Sequence, residues 1–379
     1  MPLEAHTTLP NPPKISMRTL QISGLLVDVY GLAELPPTAT HVSCLWLHHP
    51  RGRRKEDMAD IAARCVGAWN GGGGGDGDDA GQVSAAAAAG GGDGGGNGEG
   101  GGRGRVRTRG LVALAYDQRN HGTRVVDEAA NGSWREGNAM HALDMFGVVQ
   151  GMVADQRVML DLIEGYLNRN FGGEKKIDQH LALGVSLGGH SVWQLMFADP
   201  RVTAGVVVIG CPDYMNLLSD RARLSKLSTY SAQDSGASFI GSMDFPPSLV
   251  DACNKLDPKA IFFGTSPVPN AKASTANDET ARQILRDRLQ GKRLLLCSGG
   301  EDKLVPYRCS EPFLQWFKQA AGSWFKEEDV SVDDRVYPGV GHSFSADMVT
   351  DSVQFVVDAV SDADQRLSVK SDEQRPSKI

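Results

Sequence analysis

Apolar residues recur along this chain in two rhythms, and the switches between them mark out its elements. From Thr19 to Tyr30 β-formers predominate around a break at Ser23-Gly24, which predicts an edge hairpin. His41 to His49 reads as a buried strand. A basic loop, Pro50-Arg51-Gly52-Arg53-Arg54-Lys55, leads from it to a helix with Met58, Ile61, Ala62, Cys65, Val66 and Trp69 on one face. Gly110 to Asp117 is the next strand. A long loop containing Trp134 and His141 then reaches a helix with Met159, Leu162, Ile163 and Tyr166 on one face. An apolar run ending at Val185 predicts a strand, followed by a helix closed by Pro200. Ala204 to Cys211, Lys292 to Ser298 and Val330 to Tyr337 read as three more strands. Ser310 is expected to cap a short helix carrying Phe313, Trp316 and Phe317, and a last helix carries Val349, Val353, Val356, Val357 and Val360. Strands alternating with helices predict an α/β fold, a doubly wound, mostly parallel sheet covered on both faces.

Four segments break the pattern. Residues 1–16 read as a disordered arm and 361–379 as a disordered tail, leaving 17–360 as one domain. The tract 71–105 holds eighteen of the 45 glycines and five consecutive alanines. It offers little apolar surface to offset the entropy of ordering it, so it is expected to be a loose insertion. It joins a helix to the start of a strand, which places it at the edge of the sheet away from where ligands bind in such folds. Residues 212–290 are mixed and too long for a simple crossover, and are read as a lid or cap placed before the strand at 292.

Composition narrows the function classes. The chain has 379 residues, 41% hydrophobic and 22% charged, with a net charge of −7. Mild acidity gives no reason to expect nucleic acid as a partner, and no apolar run is long enough to span a bilayer. The six cysteines lack metal-ligand spacing, and several fall inside expected strands or helices. No metal or organic cofactor is expected. These features suggest a cytoplasmic protein. The chain ends Ser377-Lys378-Ile379, similar to the Ser-Lys-Leu address, which raises a peroxisomal import receptor as an alternative partner.

The chemistry centres on Gly184-Val185-Ser186-Leu187-Gly188, between a strand and a helix. A turn this sharp leaves no room for side chains two positions either side of its apex, and it exposes the serine oxygen. A serine hydroxyl needs a base within reach, and the base needs a group to orient it. Two later loops that follow strands supply them: Asp302 within Ser298-Gly299-Gly300-Glu301-Asp302, and His342 within Gly339-Val340-Gly341-His342. With Asp117-Gln118-Arg119-Asn120-His121-Gly122, these motifs resemble those of the α/β-hydrolase superfamily, in its serine-esterase-like members. The resemblance covers roughly residues 41–70 and 106–360.

It implies Ser186 as nucleophile, His342 as base, Asp302 as the orienting acid and the backbone N–H of Leu187 as one oxyanion donor. The second donor should follow the strand ending at His49. There the usual His-Gly pattern is replaced by His48-His49-Pro50-Arg51, and proline has no N–H, so the role falls to Arg51. Asp213 also follows a strand and is the alternative acid. Trp134, Phe239 and Phe245 are candidates for an acyl pocket, with core packing an equal account of each. His121 and His190 read as structural histidines. The implied activity is hydrolysis of a small carboxylic ester or thioester through an acyl-enzyme. A peptidase or amidase of the same fold, and a non-catalytic ligand-binding member, are the alternatives.

Overall fold

The computed structural model describes residues 9–71, 107–269, 279–323, 325–326 and 329–373. Ser23 and Gly24, at φ 51° and 84°, make the left-handed two-residue turn that matches strand twist. They join β1 (Met17–Ile22) to β2 (Leu25–Tyr30) at one edge of the sheet. Six strands then run parallel to one another: β3 (His41–His48), β4 (Arg109–Tyr116), β5 (Lys176–Val185), β6 (Val202–Val208), β7 (Arg293–Gly299) and β8 (Ser331–Tyr337). The order across the sheet is β1-β2-β4-β3-β5-β6-β7-β8. The central strands are mostly apolar because both their faces are covered. At the far edge β8 carries Asp333, Asp334 and Arg335, charges that discourage edge pairing.

Alternation along each strand feeds two cores. On β3, Leu45 and Leu47 pack with Ile61 and Val66 of α1 (Ala59–Asn70) and with Val349 and Val356 of α9 (Ala346–Glu373). Trp46, on the other face, packs with Met159 and Ile163 of α2 (His141–Asn168), Trp193 of α3 (Leu187–Ala198) and Phe313 of α8 (Tyr307–Gly322). Between β6 and β7 the chain forms α4 (Tyr214–Ser225), α5 (Pro247–Leu256), α6 (Pro258–Phe263) and α7 (Glu279–Leu289). A third apolar cluster joins α4 and α5 to the start of α2, through Leu217, Leu218, Phe239, Phe245, Leu249 and Phe146.

Several expectations are corrected. Leu162 is 46% exposed, and the buried face of α2 runs instead through Met152, Gln156, Met159, Ile163 and Leu167. Ser310 caps nothing, since α8 already begins at Tyr307 after Pro306 and Ser310 is buried inside it. The described part of the arm is docked: Leu9 and Ile15 pack on the α1 side, and Arg64 donates to the Pro10 carbonyl at 2.8 Å. The helix α9 runs through Glu373, well beyond 360, held by the Arg293–Asp362 ion pair and by Thr108 donating to Asp364 at 2.9 Å. Residues 212–290 hold helices started by Pro247 and Pro258 at first-turn positions, where proline's missing N–H costs nothing. Residues 72–106, which include nearly all of the Gly-rich tract, and the terminal Ser377-Lys378-Ile379 lie outside the described residues.

Candidate active site

Ser186 is the single residue between β5 and α3, with φ 54° and ψ −110°. A left-handed conformation costs a non-glycine residue about 1–3 kcal/mol and persists only where the surroundings enforce it. Here the Ser186 N–H donates to Val208 O at 2.9 Å, and its carbonyl accepts the N–H of His190 at 3.0 Å. The glycines on either side serve close approach. A Cβ on Gly184 would lie 2.1 Å from Gly188 O, and one on Gly188 would lie 2.0 Å from His48 O.

The loops after β7 and β8 deliver the other two groups, and they are bound to each other. Gly300 N–H donates to Tyr337 O and Glu301 N–H to Val340 O, both at 2.9 Å. His342 Nε2 lies 2.9 Å from Ser186 Oγ, and His342 Nδ1 lies 2.7 Å from Asp302 Oδ2. Asp302 is buried, and its Oδ1 accepts the N–H groups of Leu304 and Val305 at 2.8 and 2.9 Å. Burial pushes this carboxyl up, but the bond and charge of His342 with the two N–H donors outweigh it and hold it below the usual value. An ionised carboxylate only accepts, so the imidazole proton sits on Nδ1 and Nε2 faces the serine as an acceptor. That arrangement can take the proton from the serine hydroxyl.

Above the serine lies a cavity of about 160 Å³, lined by Leu187, Met145, Val185, Ile209, Leu304, Arg51, Arg53, Arg221 and His190 besides Ser186 and His342. Leu187 is the first residue of α3, where helix geometry leaves the N–H without an intrahelical partner. Arg51 follows Pro50 in a turn closed by Arg53 N–H donating to Pro50 O at 3.2 Å. Among the described residues, no cluster of three or more His, Cys, Asp or Glu side chains could hold a metal ion.

The model of the alpha/beta hydrolase family matches residues 101–359, more than half of the chain. The chain belongs to the alpha/beta hydrolase family. Its eight-stranded, mostly parallel sheet is similar to that of TT1662 from Thermus thermophilus, at a TM-score of 0.52 and 15% identity over 92% of this chain and 99% of that one. An esterase/lipase from an uncultured bacterium has a TM-score of 0.42 and 10% identity, over 96% of this chain and 92% of that one. An acylaminoacyl peptidase from Pyrococcus horikoshii has a TM-score of 0.41 and 12% identity. This chain is covered over 98% of its length there but spans only 43% of the peptidase. No curated protein matches the sequence.

In this alpha/beta hydrolase the structure brings together Ser186, His342 and Asp302, with Leu187 and Arg51 at the same cavity. Asp213 is not part of that group. It is buried at the start of α4, where its carboxylate accepts the Asn216 N–H at 3.0 Å. Trp134, Phe239 and Phe245 do not line the cavity. The two phenylalanines are fully buried in the third core cluster, with Trp134 edge-on to Phe239 at 5.9 Å, because α4 and α5 bury their apolar faces against α2. His121 donates its Nδ1 proton to Arg119 O at 2.9 Å, and His190 Nδ1 accepts the N–H of Cys211 at 3.0 Å. The lining residues that sequence reasoning missed are Met145, Ile209, Leu304 and Arg221. Ile209 lies in an apolar strand run, Leu304 in the loop after β7, and Met145 and Arg221 on helices that only tertiary packing brings to the serine, so no local pattern marks them. Among the described residues, no helix is long and apolar enough to cross a membrane.

Proposed function

We propose that this chain is a serine hydrolase acting on a small carboxylic ester or thioester, with Ser186 as nucleophile, His342 as general base and acid, and Asp302 as the orienting carboxylate. The observation that carries the reading is the unbroken relay from Oγ to Nε2 at 2.9 Å and from Nδ1 to Oδ2 at 2.7 Å. As Ser186 Oγ attacks the carbonyl carbon, its proton passes to His342 Nε2 and the carbonyl oxygen becomes an oxyanion. The N–H groups of Leu187 and Arg51 stabilise that charge. On collapse, the imidazolium returns the proton to the leaving alkoxide or thiolate, giving an acyl-Ser186 ester and the free alcohol or thiol. Water then repeats the sequence, deprotonated by the same Nε2, and releases the acid. Asp302 stays ionised throughout and balances the imidazolium.

The test is labelling of purified protein by a fluorophosphonate probe, together with hydrolysis of p-nitrophenyl acetate, in wild type, Ser186→Ala and His342→Ala. Wild type should label and turn over, and both variants should lose labelling and at least a thousandfold in kcat. Wild-type protein that is folded yet neither labels nor turns over would overturn the reading in favour of a ligand-binding member. Turnover of anilides at rates comparable with esters would assign an amidase instead.

A further inference from the structure

Three arginines line the serine cavity, and two of them, Arg51 and Arg221, have no carboxylate within ion-pair distance among the described residues. Arg221 of α4 donates to Leu304 O at 3.2 Å and Met145 Sδ at 3.1 Å, and lies 3.4 Å from His141 Nε2. Arg51 donates to Asn131 O at 3.1 Å. Neither makes an ion pair among the described residues, and all these partners are uncharged acceptors. The acids nearby are committed elsewhere. Asp302 holds His342 and two N–H groups, and Glu136 accepts the Ser133 N–H at 2.6 Å.

The surrounding histidines do not supply the missing negative charge, and one adds a donor. His141 donates from Nδ1 to Gly132 O at 2.9 Å, which leaves Nε2 as an acceptor toward Arg221. Burial first, and the Arg221 charge next, hold its pKa down at about 3, so it is neutral. His190 is 3% exposed and lines the same cavity. Because its Nδ1 accepts the Cys211 N–H, its proton sits on Nε2, which is buried without a partner. Burial, followed by the like charge of Arg51, also pulls the Arg221 pKa down to about 10. A half-buried cation facing only neutral acceptors is under-compensated, and an incoming anion relieves that cost.

We propose that the cavity is built for a substrate carrying an anionic group a few atoms from its scissile carbonyl, received by Arg221 and Arg51. This rests on the serine-hydrolase reading and adds the substrate class to it. The cavity, about 160 Å³, is close to the roughly 150 Å³ that holds a benzene-sized molecule, so the anion and the acyl chain are short together. The two guanidinium groups suit a carboxylate or a phosphate, since both offer paired oxygens. A hemi-ester of a short dicarboxylic acid is the simplest substrate of this kind.

The experiment compares kcat/KM for monomethyl glutarate and methyl valerate, measured by acid release at constant pH, in wild type, Arg221→Gln and Arg221→Lys. Wild type should prefer the charged ester by at least tenfold. Arg221→Gln should remove at least nine-tenths of that preference, and Arg221→Lys should keep part of it. A merely structural role for Arg221 would lower both substrates by one factor and leave the ratio unchanged, and that result overturns the proposal. If Arg221→Gln does not fold, Arg51→Gln is read in the same way. Inhibition by glutarate and by inorganic phosphate separates the two sources of anion. Stronger inhibition by glutarate assigns a carboxylate, the reverse assigns a phosphate, and inhibition by neither at tens of millimolar overturns the site. Failure of the underlying reading looks different, because wild type would then neither label with fluorophosphonate nor hydrolyse either ester. Wild type that labels and hydrolyses methyl valerate at least as well as monomethyl glutarate defeats this inference alone.

Discussion

Replacing Asp302 with asparagine should nearly abolish turnover while leaving the fold in place, for a reason visible in the hydrogen bonds. Asp302 Oδ1 accepts the N–H groups of Leu304 and Val305 at 2.8 and 2.9 Å, and Oδ2 holds His342 Nδ1 at 2.7 Å. In Asp302→Asn the carbonyl oxygen keeps the two backbone donors, because an amide NH2 cannot accept them. The NH2 group then faces His342 Nδ1 and can only donate to it. The imidazole is driven into the opposite tautomer, with its proton on Nε2, 2.9 Å from the Ser186 oxygen it should deprotonate. In a Ser-His-Asp site the corresponding change lowers kcat by about 10⁴, equivalent to about 5.5 kcal/mol of transition-state stabilisation. The loss of folding stability should be smaller, at most about 1.5–3 kcal/mol for one charge-assisted bond. It should also depend on pH. The Asp302 carboxyl is held below its ordinary value, so its contribution is present above the unfolded pKa and disappears as pH falls through the folded one. The gap in Tm between wild type and variant should therefore be widest near neutrality and close on acidification. Steady-state kinetics with a short ester, the rate of fluorophosphonate labelling and thermal melts at several pH values measure all three effects. A folded Asp302→Asn protein retaining more than about a tenth of wild-type kcat would refute the reasoning.

Gly188→Ala should destabilise the protein by about 3 kcal/mol or more and prevent labelling, since its Cβ would sit 2.0 Å from the His48 carbonyl oxygen, which cannot move without parting β3 from α3. Gly147→Ala, with nothing within 4 Å, is the control that should melt at or above the wild-type temperature, and equal melting of both variants would show the packing argument to be wrong. Acid should unfold the protein early, because burial above all pushes His48, His49 and His180 down to about 4 and His141 and His190 down to about 3, against 6.5 when unfolded. Below pH 6.5 the unfolded chain takes up protons that the folded one refuses, so stability falls as pH falls, by roughly 1 kcal/mol per histidine near pH 5.5 and several kcal/mol for the five together. That is comparable to a typical folding free energy. Circular dichroism should show cooperative unfolding between about pH 6 and 4.5, and full native signal at pH 4 would refute it.

How much of the site was legible depended on whether a residue's role is fixed locally. Ser186 directly follows the apolar run of β5, while Asp302 and His342 stand in the short loops after β7 and β8 among small residues, so local pattern and chain order are enough to mark them as candidates. Arg221 could not be read this way. On α4 it lies seven residues beyond Tyr214, next to Asp220, and only the packing of that helix against α2, α5 and α8 turns it toward the serine. Phe239 and Phe245 failed for the same reason in reverse. Their chemistry suits an acyl pocket or a core equally, and the choice was made by the distant face of α2. The end of α9 was hidden because its polar stretch is stabilised by specific partners, Arg293 and Thr108, that lie far away in the chain. Periodicity reports burial against an apolar surface, and it is silent where ion pairs hold a helix down.

The Pro50 departure from the usual oxyanion loop is better understood from what grips that loop than from what it lacks. His49 Nε2 accepts the Gln118 N–H at 3.0 Å, and its Nδ1 proton goes to the Pro50 carbonyl at 2.8 Å, so the ring is a neutral strut between the loops after β3 and β4. Asp117 closes the other side by accepting the N–H of Lys55 at 2.9 Å and that of Thr123 at 2.8 Å. Gly122 is required there, because a Cβ would fall 2.2 Å from the Asp117 carboxylate. Lys55 is itself anchored by a buried ion pair with Asp28 at 2.7 Å. The Asp117–Gly122 run thus acts at one remove from the chemistry. For the proposed Arg51 donor, a loop gripped on both sides in this way would need little reorganisation when charge develops, which is the kind of preorganisation electrostatic catalysis relies on. A flexible glycine at position 50 would offer one more N–H, while proline fixes φ and removes freedom from the loop that presents Arg51. Pro50 therefore stiffens the loop without an N–H of its own, beside the guanidinium group proposed to receive the substrate's anion.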